Sequence, residues 1–235
     1  MGNVSQFLAD RPAVVGRVLA NRRMWLRAGN YTFTVPANVY ELWVYVWGAG
    51  GGGATSNNGG AGCARGGAGG GYSFKRWAVQ PGDTVTITVG AGGVGAGPGS
   101  AMVNGTNGGT TSVTINGVTV QATGGEGGKH TPAATVVGGV GSGGDVNRSG
   151  GSTTAMLGTS LINCGQGGAS SGSPFGNGFP GANLANLNSS VTGGLGGAGW
   201  GGSGGDLWNT GGRTGRLRPA GAALMVRHRS CPTRL

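Results

Sequence analysis

Acidic residues are scarce: the chain holds six, at Asp10, Glu41, Asp83, Glu126, Asp145 and Asp206. Paired carboxylates of the kind that hydrolyse glycosides are therefore in poor supply. Histidine occurs only at 130 and 228. Glu126 and His130 are close in sequence, but a catalytic pair also needs an orienting group and a pocket. No Gly-x-x-x-x-Gly-Lys-Ser/Thr loop is encoded. The many Gly-x-Gly-x-x-Gly matches are what chance gives in so glycine-rich a chain, and none opens a helix after a strand as a dinucleotide site requires. The expectation is a protein that is not an enzyme and uses no cofactor and no metal.

Cysteine is also sparse, at Cys63, Cys164 and Cys231. An odd, scattered set is not a disulfide framework, and without a Cys-x-x-Cys pair it is not a zinc site. Reduced thiols and folding in a cytoplasm are expected. No run of 18 apolar residues is present, so no transmembrane helix is encoded and no membrane insertion is expected. The N-terminal stretch has acid, base and proline where a signal peptide needs an apolar core.

What is abundant is glycine, at 59 of 235 positions, with proline at 9 more. That share suits low complexity or disorder. Charged residues make up only 9%, unlike most disordered chains, and no Gly-X-Y period marks collagen. The net charge is +10, and 11 of the 16 basic residues lie before residue 30 or after residue 210. The basic ends either meet an acidic partner or serve as solvated termini.

Residues 1–29 read as a separate, mostly extended attachment segment. Its apolar and basic groups Phe7, Leu8, Val14, Val15, Arg22 and Arg23 are candidates for docking to a larger assembly. Residues 30–123 read as a β-sandwich with glycine-rich loops. Within it, Tyr40 to Trp47 is strongly β-prone and apolar on both faces, so it predicts a central strand covered on both sides, with Trp43, Trp47 and Trp77 in the core. Pro81-Gly82 predicts a type II turn. Val85, Ile87 and Val89 share one face of an alternating strand. Asn116-Gly117 predicts a type I′ hairpin between 112–115 and 118–122. Residues 124–218 form a long glycine-rich region. Residues 219–235 supply a strand at 222–227 that returns to the sandwich, then a basic tail.

A structureless loop of some 90 residues is improbable in a compact domain. Glycine loses the most backbone entropy on ordering and has no side chain to bury in return. Polyglycine II helices offer one route to order. They have three residues per turn and no internal hydrogen bonds, so N–H and C=O groups face neighbouring chains. Runs such as Gly124-Gly125-Glu126-Gly127-Gly128 and Gly193-Gly194-Leu195-Gly196-Gly197 suit close packing of this kind. The expected fold is all-β: a small β-sandwich with an extended region of stacked polyglycine II helices and little or no α-helix.

The run Tyr31-Thr32-Phe33-Thr34-Val35-Pro36-Ala37-Asn38-Val39, followed by Leu42-Trp43-Val44-Tyr45-Val46-Trp47-Gly48-Ala49-Gly50-Gly51-Gly52-Gly53, resembles the glycine-rich domains at phage tail-fibre tips. Gly69-Gly70-Gly71-Tyr72, Val79 to Gly93 and Gly109-Thr110-Thr111-Ser112-Val113 continue the pattern in order. The resemblance covers about 30–227 and extends to the adhesins that cap long tail fibres in T-even-like phages. It implies a β-sandwich carrying polyglycine II helices, whose variable loops contact a host surface polysaccharide or outer-membrane protein. It also implies a place at the fibre tip of the virion tail, assembly in the host cytoplasm and contact with other tail-fibre proteins. A homotrimer is one assembly that suits a fibre. Residues 1–29 do not match the pattern.

Receptor contact is expected at residues that interrupt the glycine. Lys129 and His130 lie in one insert, and Thr153 to Cys164 form another. Phe175, Asn177 and Phe179 lie in Ser173 to Pro180, where aromatics are held between prolines. The alternative is that Phe175 and Phe179 fold back to plug the lattice. Trp208 is a further candidate, although Trp200 and Trp208 sit between glycine pairs where packing is the expected role. Two other functions compete with adhesion. One is a purely structural fibre protein. The other is glycine-rich RNA binding, for which Arg65-Gly66-Gly67 is a single, unrepeated RGG, and no nucleic acid is expected as partner.

Overall fold

A computed structural model describes residues 22–56, 63–97, 102–131, 135–153, 164–166, 168–181, 183–184, 206–207 and 224–230. Among these residues there is no helix. The longer strands are β1 (Arg22–Trp25), β2 (Gly29–Thr34), β3 (Val39–Trp47), β6 (Tyr72–Ala78), β7 (Thr84–Val89), β8 (Thr111–Ile115), β9 (Val118–Ala122) and β15 (Leu224–Ser230). Short strands are β4 (Thr55–Ser56), β5 (Cys63–Ala64), β10 (Gly141–Ser142), β11 (Val146–Arg148), β12 (Cys164–Gln166), β13 (Asn183–Leu184) and β14 (Asp206–Leu207).

Two antiparallel sheets face one another, in the orders β1-β15-β3-β6-β11 and β10-β9-β8-β7-β2. The period-two pattern explains the core. Leu42, Val44 and Val46 of β3 are fully enclosed, and Val85, Ile87 and Val89 of β7 face them with Val113, Ile115 and Val120. Each such aliphatic side chain contributes about 1.5–3 kcal/mol by leaving water. The local turns have the expected chemistry. Asn116 and Gly117 both have positive φ, at 49° and 78°, and Gly82 has φ 93° with Asp83 N–H donating to Gln80 O at 3.1 Å.

β1 joins β15 in one sheet and β2 joins β7 in the other. Two expectations change. The returning strand runs on to Ser230 instead of ending at 227, and it lies between β1 and β3. β3 is central, but its second face is only half-buried. Trp43 and Trp47 lie there with Tyr45, while Trp77 joins the core at 8% exposure. Alternation enforces this, because Leu42, Val44 and Val46 already take the inward positions.

The glycine tracts form a lattice against one end of the sandwich. Gly48, Gly51 and Ala54 donate to Gly71, Ala68 and Arg65. Donors rise by three as acceptors fall by three, so the tracts are antiparallel with a three-residue repeat. Ala49, Gly52 and Thr55 donate likewise to Gly109, Thr106 and Val103. Gly93 and Ala96 donate to Gly50 and Gly53, and Gly125 and Gly128 to Ala49 and Gly52, both in parallel. A β-ladder repeats every two residues, whereas this repeat belongs to polyglycine II. The lattice continues through 136–140, 149–153, 168–172 and 177–181, by bonds such as Glu126 N to Val137 O, Gly150 N to Gly139 O and Ser170 N to Phe179 O. Tracts between 48 and 109 and tracts after 123 thus belong to one lattice.

Glycine is required here for closeness. The described glycines with positive φ are Gly29, Gly82, Gly117 and Gly143, all outside the tracts. A Cβ on Gly127 would stand 2.1 Å from the carbonyl oxygen of Gly105, where only backbone could give way.

Candidate functional site

The direction of each tract follows from what it joins. Tracts 48–54, 90–96 and 123–128 follow β3, β7 and β9 and run away from the sandwich. Tracts 65–71, 103–109 and 136–140 return to β6, β8 and β10. Tract 149–153, antiparallel to 136–140, leaves again, and 168–172 returns parallel to 65–71. The tract ends at 56, 97, 131 and 153 therefore gather at the lattice end remote from the sandwich.

At that distal end Thr55 bridges Val103. The His130 backbone N–H donates to Asn104 Oδ1 at 3.0 Å, and its ring Nδ1 lies 2.9 Å from the same oxygen. Asn104 thus clamps the 129–131 segment to the turn that carries Met102 and Val103. Those two side chains are exposed, at 58% and 42%, and Met102 has a positive φ of 33°. Lys129 is partly exposed beside His130. A basic group, an imidazole and two exposed apolar side chains thus share one end of the lattice.

Phe175, Asn177 and Phe179 lie elsewhere. The 173–176 turn connects tract 168–172, which ends near the sandwich, to tract 177–181. Gly172 N–H donates to Gly70 O, and a Cβ on Gly172 would meet the Cβ atoms of Tyr72 and Arg148. The turn therefore sits at the sandwich-proximal end, away from Lys129 and His130. Phe175 is 98% exposed and Phe179 73% exposed, so neither plugs the lattice. Asn177 Oδ1 accepts the Ser149 N–H at 3.1 Å, holding tract 149–153.

Trp208, Phe7, Leu8, Val14 and Val15 lie outside the described residues. Arg22 and Arg23 are exposed on β1, whose register places Arg22 level with Trp43 and Trp25 level with Val46. Arg22 therefore stands at the end of β1 farther from the lattice. Arg23 sets its guanidinium 4.9 Å from the Phe33 ring centroid.

The outer face of β3 and β6 carries an aromatic row. Trp43 meets Phe74 edge-on, Phe74 meets Tyr45, Tyr45 stacks on Trp47, and Trp47 tilts against Tyr72. Arg76 bonds Glu41 at 2.9 Å and lies over Trp43, whose indole N–H donates to Glu41. Burial pushes the Tyr72 hydroxyl well above the usual phenol range, helped by Tyr45, with Arg148 opposing.

Two candidate chemistries lose their parts to the scaffold. Arg65 is fully enclosed, and burial lowers its pKa, so the lone RGG arginine is not on the surface. Glu126 Oε2 accepts the Val137 N–H at 3.0 Å, while His130 bonds Asn104, so the two do not form a pair. Among the described residues no three metal-ligating side chains converge. The sequence reading missed Met102, Val103 and Asn104. They interrupt glycine as Lys129 and His130 do, and that criterion could have found them.

No curated protein matches the chain. A family model described as a glycine-rich domain matches residues 26–224, which takes in β2 to β14 and every lattice tract described above, and leaves out β1 and all of β15 but Leu224. The chain therefore belongs to this glycine-rich domain family.

Proposed function

We propose that the protein is the tip adhesin of a bacteriophage tail fibre, in which the lattice is a rigid stand for loops that bind a receptor on the host surface. The observation that carries this reading is the alternation of tract direction, which collects the tract ends at 56, 97, 131 and 153 at the end remote from the sandwich. Loops on a rigid scaffold are a common basis of recognition, because little entropy is lost when they bind. Lys129, His130, Met102, Val103 and Asn104 form the described part of that surface. Arg22 and Arg23 stand toward the opposite pole, where attachment to the fibre leaves the tip free. Several copies on one particle convert weak single contacts into firm adsorption.

The test is competition for adsorption by the purified protein. Wild-type protein is expected to block phage adsorption to susceptible cells, and replacing Lys129-His130-Thr131 by Ser-Gly-Ser is expected to remove the block. A wild-type protein that binds no cells, yet is needed to build fibres, would leave a purely structural role. Salt-sensitive binding to RNA without cell binding would support the nucleic-acid alternative. Loss of blocking on Phe175→Ser with Phe179→Ser, and none at the tip, would move the receptor surface to the sandwich-proximal turn.

A further inference from the structure

We infer that Cys63 and Cys164 form an intramolecular disulfide once the protein meets an oxidising medium. The strands β5 and β12 pair in parallel, with Cys63 and Cys164 as register partners and Ala64 beside Gly165. Neighbouring strands lie about 4.8 Å apart, inside the roughly 4.4–6.8 Å between α-carbons that a disulfide bridges. The two positions also share one face of the pairing.

The register does not rest on those residues alone. Just beyond them, Ala169 N–H donates to Gly67 O and Gly172 N–H to Gly70 O. These tracts run parallel with an offset of 102 in residue number (169 less 67), against 101 for the cysteine pair (164 less 63). Lattice bonds thus hold the two cysteine-bearing segments side by side. Both cysteines also stand ahead of tracts that return toward the sandwich, 65–71 and 168–172, so a bond between them ties those two tracts together.

The chemistry is a thiol–disulfide exchange with a small disulfide such as oxidised glutathione. One cysteine thiol loses its proton and attacks the glutathione disulfide, releasing one glutathione thiolate and leaving a mixed disulfide. The second cysteine thiolate then attacks the protein sulfur, forming the Cys63–Cys164 bond and releasing the second glutathione. The two protons lost by the cysteines end on the two glutathione thiols. The protein is oxidised by two electrons and glutathione disulfide is reduced by two. In a glutathione-reducing cytoplasm the pair stays as thiols.

The experiment uses the full chain, purified under reducing conditions and then incubated with oxidised glutathione. Peptide mapping without reductant is expected to find residues 63 and 164 linked. The mass should fall by two hydrogens, and the chain should remain a monomer on a non-reducing gel. Because the closed loop is long, the thermal midpoint should rise by roughly 5–15 °C on oxidation and return on reduction. Cys231→Ser is expected to keep the whole response, and Cys63→Ser with Cys164→Ser to lose it. Persistent free thiols, stable glutathione adducts at both cysteines, or bonds between chains would overturn the inference. If the substituted chains fail to fold, mapping of the wild-type linkage decides it alone: a bond involving Cys231 in place of the 63–164 pair overturns it.

Discussion

A Cβ atom on Gly51 would stand 2.0 Å from the carbonyl oxygen of Glu126. Both chains at this contact are backbone fixed in the lattice, with Gly51 N–H donating to Ala68 O and Ala68 N–H to Glu126 O. Neither can move without breaking bonds to a third tract. Gly51→Ala is therefore expected to destabilise the fold by at least about 3 kcal/mol, the upper end of overpacking costs. Gly97→Ala is the control, since nothing lies within 4 Å of its Cβ, and it should stay within about 0.5 kcal/mol. Denaturant unfolding of both variants checks the contrast. Equal stability would mean that the lattice is not this closely packed.

The hairpin at Asn116-Gly117 makes a different demand on glycine. Nothing lies near a Cβ on Gly117, but its φ is +78°. Gly117→Ala is expected to cost about 1–2 kcal/mol through backbone conformation alone. Thermal unfolding should show a loss smaller than that of Gly51→Ala.

Amide exchange should reveal the lattice directly. Gly125, Gly128, Gly139 and Gly151 donate to carbonyls of other tracts, so their exchange should be slowed at least about 10³-fold relative to an unstructured peptide. Free exchange at all four positions would mean that the glycine region is not held by these bonds.

Alkaline pH should act through Tyr72. Burial raises its pKa above the ordinary 10.0, so the folded state holds the proton more tightly than the unfolded state. The stability tied to that proton is fully present below about pH 10 and falls as pH rises toward the folded-state value. Tyr72→Phe removes this linkage. Its unfolding midpoint is expected to fall less steeply than that of wild type above pH 10, with parallel curves below. The measurement is a thermal melt series from pH 8 to pH 11.

The turn at 173–176 offers a test of surface against scaffold. Phe175 is almost wholly exposed, so Phe175→Ser should leave stability within about 0.5 kcal/mol. Asn177→Ala removes the acceptor of the Ser149 N–H and is expected to cost about 1 kcal/mol. The same melts, run beside cell-binding assays, separate a folding defect from a lost contact.

The strands and turns could be read from the sequence because their causes are local. Val85, Ile87 and Val89 announce a face by alternation, and Asn116-Gly117 announces a turn by tolerating positive φ. The need of the glycine tracts for neighbouring backbone was also legible, because glycine has nothing else to bond or bury. Their partners were not. A tract such as Gly50-Gly51-Gly52-Gly53 carries no side chain that could select Ala68 over Gly125 as a neighbour. The strands anchored at the tract ends set that choice. The same indifference hid the candidate site: Lys129 and Phe175 look alike as interruptions of glycine. The alternating direction of the tracts sends Lys129 to the distal end and Phe175 to the sandwich-proximal end. Composition and period thus determined what kinds of element the chain makes. The tertiary structure decided which tracts touch and which residues share a surface, because those depend on strand pairings far apart in sequence.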